Sequence, residues 1–130
     1  MPLTHTTNLR VRFGETDAVG VANNAVYLQY FEIGRIELLR SAGHSYLDVH
    51  RDGIDMVVTE AGIRYLRPLV FDDQVGVECT LSELGRASFR FDYRLLVDGE
   101  ARSTGFTRHA CIDRSTMRPT RVPGWLHALA

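Results

Sequence analysis

Leu9, Val11 and Phe13 alternate with Arg10, Arg12 and Gly14, the period of two that marks a half-buried strand. The turn-forming stretch 14-GETDAVG-20 ends it. From residue 24 to about residue 40 the spacing becomes helical. Val26, Tyr27, Tyr30, Phe31, Ile33, Gly34, Leu38 and Leu39 cover much of the circumference, as in a helix enclosed by other structure. Asn23 or Asn24 is a natural N-cap and Gly43 a natural stop. Residues 45–53 are polar and predict an irregular lid or connecting loop.

Strand patterning then takes over. Segments near residues 54–66, 74–84, 87–97 and 101–113 are punctuated by Pro68, 83-ELGR-86 and 98-DG-99, the last two being hairpin signals. Val75, Val77, Cys79 and Leu81 share one face, opposite Glu78, Thr80 and Ser82; Phe89, Phe91, Tyr93, Leu95 and Val97 likewise oppose Ser88, Arg90, Asp92 and Arg94. One side of this antiparallel sheet is wet and the other covered. The tail 125-WLHALA-130 predicts at most a short terminal turn, so one helix is left to cover the sheet. The expected fold is α+β: a five-stranded antiparallel sheet wrapped around one long central helix. Such a sheet keeps exposed edges, and pairing with a second copy would cover them. A homodimer, or a homotetramer built on it, is the economical expectation.

Length and composition narrow the picture. At 130 residues the chain suits a single domain over 1–130. A net charge of −1 with scattered arginines gives no track for a phosphate backbone, so no nucleic acid is expected as partner. Two cysteines without a CxxC predict free thiols in a reducing compartment. The stretch 1-MPLTHTTNLR-10 has no apolar leader core, and no apolar run nears the ~20 residues of a membrane span. The expectation is a cytoplasmic protein with no membrane insertion.

The element order, together with 12-RFGETDAVGVANNAVYLQYFEIGRIELLRSAG-43, 65-YLRP-68, 71-FDD-73 and the turn holding Gly85, Arg86 and Ser88, resembles the hotdog-fold acyl-CoA thioesterases. The branch it is most similar to is the 4-hydroxybenzoyl-CoA thioesterase-like one, and the matching pieces span nearly the whole chain in order. Many relatives of that branch carry His after the glycine of the turn, where this chain has Val21, and others carry His or Tyr where it has Asn24. Asp17 is therefore the catalytic side chain that the resemblance carries over.

Thioester hydrolysis needs a group that attacks the carbonyl or activates water, and donors for the oxyanion. The resemblance implies Asp17 for the first, as nucleophile or general base. Spacing alone reads the same residue as an Asx-type turn former. Backbone N–H groups at Asn23, Asn24 and Ala25, at the positive end of the helix dipole, suit the second. Tyr27, Tyr30, Phe31 and Met56 are candidates to line the acyl pocket. Phosphates of CoA would meet arginines: Arg86 with Ser88 in its turn is preferred, with Arg67, Arg64, Arg90 and Arg108 as further candidates. Glu15 is expected to be solvated and Glu32 to pair with Arg35 or with a neighbouring helix-terminal group.

Competing chemistries have less behind them. His109 and Cys111 lie at i, i+2 on one strand face but lack further ligands at suitable spacing, so no metal site and no cofactor are expected. A hotdog dehydratase would need a His near the helix, and none falls between Leu9 and Gly43. The non-enzyme alternative is an acyl-CoA or acyl-carrier-protein binding module on the same fold.

Overall fold

The computed structural model describes residues 3–129. The chain runs β1 (Thr4–Arg10), a 3-10 turn (Phe13–Glu15), α1 (Asn24–Ser41), α2 (Tyr46–Arg51), β2 (Ile54–Tyr65), β3 (Gln74–Leu84), β4 (Ser88–Val97), β5 (Glu100–Asp113), β6 (Arg118–Thr120) and α3 (Gly124–Leu129). The strands form one antiparallel sheet in the order β1-β3-β4-β5-β2. β1 and β2 are its edges.

The alternation of β3 and β4 is realised on the inner face. Val75, Val77, Cys79, Leu81, Phe89, Phe91, Tyr93, Leu95 and Val97 are all buried, because each sits one pleat from its polar neighbours. α1 lies against this face through Val26, Tyr27, Tyr30, Phe31, Leu38 and Leu39. Two glycines let helix and sheet approach: a Cβ on Gly34 would stand 2.6 Å from Val77 Cγ1, and one on Gly105 would stand 2.5 Å from the Phe31 ring. Phe31 thereby stacks flat on Tyr93, with centroids 4.3 Å apart.

Four expectations change. The first strand ends at Arg10, and Phe13 opens a 3-10 turn with its side chain exposed. The cause is Glu15, whose carboxylate accepts the Arg12 N–H at 2.8 Å and folds the chain back. Residues 45–53 hold helix α2, not an irregular loop. Ser45 caps it by accepting the Asp48 N–H at 3.2 Å, and Val49 is its one buried position, too little periodicity to read. The sheet has a sixth strand. β6 pairs with Cys111, Ile112 and Asp113 where β4 has ended, since Ser88 pairs with Ala110. The tail forms α3, which buries Leu126 completely and stacks Trp125 on His44 at 4.1 Å.

Candidate active site

The turn before α1 is a small closed hairpin. Thr16 and Ala22 bridge antiparallel, the Asp17 N–H donates to Val21 O at 2.9 Å, and the Gly20 N–H donates to Asp17 O at 3.0 Å. Gly20 sits at φ 90°, where a residue without Cβ is favoured. Asp17 Oδ1 accepts from the N–H of Val19 at 2.9 Å and of Val21 at 3.4 Å. This is the Asx-type geometry. It fixes the carboxylate by one oxygen, and Oδ2 has no hydrogen bond among the described residues, on an exposed side chain.

Asn23, not Asn24, is the N-cap. Its Oδ1 accepts the Ala25 N–H at 3.4 Å, its carbonyl accepts the Val26 N–H at 2.9 Å, and its own N–H is taken by Glu15 O at 2.8 Å. Of the three N–H groups expected to face substrate, those of Asn23 and Ala25 are thus engaged. The Asn24 N–H keeps no partner among the described residues, as a first-turn N–H commonly does. The Asn24 carbonyl accepts the Tyr65 hydroxyl at 3.3 Å. A cavity of about 190 Å³ opens beside it, lined by Val21, Ala22, Asn24, Tyr27, Tyr65 and Arg67 among others. Tyr27 meets Tyr65 edge to face at 4.8 Å, and its hydroxyl accepts the Leu69 N–H at 3.3 Å. Asp17 touches this cavity's wall through Val21.

Glu15 is not solvated. Its Oε1 accepts from the Arg12 N–H and the Tyr30 hydroxyl, both at 2.8 Å, and Oε2 accepts from the Arg12 guanidinium at 3.1 Å. Burial alone would raise its pKa, but these donors outweigh it and hold the carboxyl below the ordinary range. Tyr30, by burial and by facing Glu15, is pushed well up. Glu15 therefore ties the turn that carries Asp17 to the middle of α1. The local signal is the i, i+3 placement of Glu15 after Arg12, which lets the carboxylate reach back to the Arg12 N–H and guanidinium. Glu32 pairs with Arg35 at 3.7 Å.

The other candidates are dispersed. Arg67 is bound by both Glu100 oxygens, at 2.9 and 2.8 Å; Arg90 pairs with Asp92, and Arg108 with Glu60 and Glu83. Arg64 and Arg86 have no ion-pair partner among the described residues. Arg86 and Ser88 are exposed on the β3–β4 turn, closed by Gly85 N–H donating to Ser88 O at 2.8 Å, and neither lines the cavity at the helix start. Tyr30 and Phe31 are core residues, whereas Met56 lines a second cavity. Cys79 and Cys111 are buried free thiols. No cluster of three or more potential metal ligands occurs among the described residues, and none of their helices is long and apolar enough to cross a membrane.

Comparison with known proteins adds a family context. The profile of the thioesterase-like superfamily matches residues 11–129. An acyl-CoA thioesterase of Haemophilus influenzae is 32% identical over 116 residues, which cover 88% of this chain and 85% of the relative. A 1,4-dihydroxy-2-naphthoyl-CoA hydrolase of Synechococcus elongatus is 30% identical over 126 residues, covering 92% and 93%. Among solved structures, a DHNA-CoA thioesterase from Staphylococcus aureus superposes with a TM-score of 0.91 at 28% identity, over 96% of this chain and 87% of that one.

Proposed function

The chain belongs to the thioesterase-like superfamily, and from that premise we propose that it is an acyl-CoA thioesterase, releasing a carboxylic acid and free CoA. The observation that carries this reading is a juxtaposition: a carboxylate fixed through one oxygen with the other free, on the turn that leads into the unpartnered Asn24 N–H of α1. As general base, Asp17 takes a proton from water while the water oxygen bonds to the thioester carbon. The C–S bond then breaks, and the thiolate leaves and regains a proton. As nucleophile, Asp17 Oδ2 bonds to that carbon, expels the thiolate and forms an anhydride that water cleaves. In both routes charge develops on the carbonyl oxygen, and the Asn24 N–H with the positive end of the α1 dipole stabilises it. Sulfur overlaps poorly with the carbonyl and thiolate leaves readily, so neither route calls for a metal or an organic cofactor.

Arg86, with no acidic partner among the described residues, is assigned to the CoA phosphates. The test is release of free thiol from a panel of acyl-CoA thioesters. Thiol release is expected from at least one, and Arg86→Ala is expected to raise KM severalfold with kcat nearly unchanged, as for lost uniform binding. Binding of acyl-CoA without any thiol release would return the binding-module reading; an unchanged KM would remove Arg86 from the site.

The protein is further proposed to be a homodimer, or a homotetramer of such dimers, through the free edge of β2. This strand runs 12 residues and exposes Val58 and Tyr65, a surface that pairing would cover. Sedimentation at micromolar concentration should give a dimer or larger species; an active monomer would overturn the assignment.

A further inference from the structure

We propose that Glu15 and Tyr30 are a pair of positioning residues, whose hydrogen bond sets the Asp17 carboxylate against the Asn24 N–H and so governs the chemical step without touching substrate. The inference rests on the thioesterase reading and deepens it.

In the proposed reaction the two working groups belong to different pieces of chain, the carboxylate to the hairpin and the N–H to the first turn of α1. They must hold one thioester between them. A misplacement of about 1 Å can cost on the order of a hundredfold in rate, so whatever fixes the hairpin on the helix acts on the chemistry.

The hydrogen bonds that do this are few. The returning strand of the hairpin is tied to the segment before β3: the Ala22 N–H donates to Leu69 O at 2.7 Å, and Val21 bridges Val70. The outgoing strand, which carries Asp17, is held differently. Its bonds run back into the turn, from the Glu15 N–H to Arg12 O at 2.9 Å and from the Thr16 hydroxyl to Phe13 O at 2.7 Å, or across the hairpin, from the Asp17 N–H to Val21 O. Two bonds join it to the helix and its cap among the described residues, and both belong to Glu15. The Glu15 carbonyl accepts the Asn23 N–H at 2.8 Å, and its Oε1 accepts the Tyr30 hydroxyl at 2.8 Å. Tyr30 lies roughly two turns beyond the cap, or ~10 Å along the axis. One attachment would leave the outgoing strand free to pivot at the cap; the second fixes its angle to α1.

Both partners are themselves held. Tyr30 is 1% exposed, its ring locked in the core, so its hydroxyl is a fixed point. The Glu15 side chain is 11% exposed and is gripped on its other side by the Arg12 N–H and guanidinium. Those donors keep the carboxyl ionised at neutral pH, and a hydrogen bond to an ionised acceptor is stronger than one between neutral groups.

The test uses the acyl-CoA that gives the fastest thiol release. Tyr30→Phe keeps the core ring and removes the bond from helix to carboxylate. It is expected to lower kcat about tenfold or more with KM within about twofold, in a folded protein. Glu15→Ala should do the same, whereas Glu15→Gln keeps an oxygen that can accept from both Tyr30 and the Arg12 N–H, and should recover kcat to within about threefold of wild type. The separating measurement repeats Tyr30→Phe in an Asp17→Asn background. With no carboxylate left to position, the residual rate should change by less than about twofold. A folded Tyr30→Phe protein with wild-type kcat would overturn the proposal, and so would an equal fractional loss in both backgrounds, since Tyr30 would then act on something other than Asp17. Should Tyr30→Phe not fold, Glu15→Ala carries the same two-background comparison. A wild-type protein that releases no thiol from any acyl-CoA would overturn the thioesterase reading itself, and this assignment with it.

Discussion

Asp17→Asn is expected to lower kcat by on the order of a hundredfold or more, about 2.7 kcal/mol of barrier, with folding and acyl-CoA binding retained. The substitution separates two roles that the same side chain fills. Asx turns accept Asn as readily as Asp, and the bonds from the Val19 and Val21 N–H groups reach Oδ1 alone, so the amide oxygen can replace it. What the amide cannot replace is Oδ2, the unengaged oxygen that would attack or take a proton. A folded variant with a large loss of kcat and little change in KM assigns the chemistry to the carboxylate. Near wild-type turnover on the best substrate would leave Asp17 as a turn former and move the reaction elsewhere.

How much of this was legible in the sequence depends on how each feature writes itself into a pattern. β3 and β4 were readable because each places five or so apolar side chains at strict alternation on a covered face. α1 was readable because its seven buried positions repeat over eighteen residues. α2 and α3 were not: each runs six residues and buries a single side chain, and one buried residue has no period. The β5–β6 hairpin hid for a similar reason, with only three paired residues and Pro119 among them. The turn around Asp17 was visible as a turn, but sequence spacing could not say which helix-start N–H is spent. That depends on Glu15 O reaching Asn23 and Asn23 Oδ1 reaching Ala25. His109 was expected as a core or surface residue and lies in the core; its hydrogen-bonded link through Thr107 to Tyr93 on β4 is assembled only by the folded chain.

Gly105→Ala is expected to destabilise the protein by about 1–3 kcal/mol, the range for overpacking a well-filled core, which is roughly 4 °C of melting temperature per kcal/mol in a chain of this size. The added Cβ would lie 2.5 Å from Phe31 Cε2, 2.6 Å from Phe31 Cζ and 2.6 Å from the Gly62 carbonyl oxygen. The carbonyl belongs to the β2–β5 ladder, where Ile63 pairs with Gly105, and cannot move without breaking pairing. The Phe31 ring cannot retreat toward the sheet either, because it is stacked at 4.3 Å on Tyr93, whose hydroxyl is held at 2.6 Å by Thr107. The remaining relief is to lift α1. That helix carries Tyr30, which anchors Glu15, and begins at the Asn24 N–H proposed to hold the thioester oxygen. The variant should therefore lose kcat along with stability, although residue 105 touches no substrate in this scheme. Gly14→Ala is the control: a Cβ there has nothing within 4 Å and the backbone is not left-handed, so its melting temperature should match or slightly exceed that of the wild type. Equal melting temperatures for Gly105→Ala and the wild type would show that α1 does not need the close approach that the glycine allows.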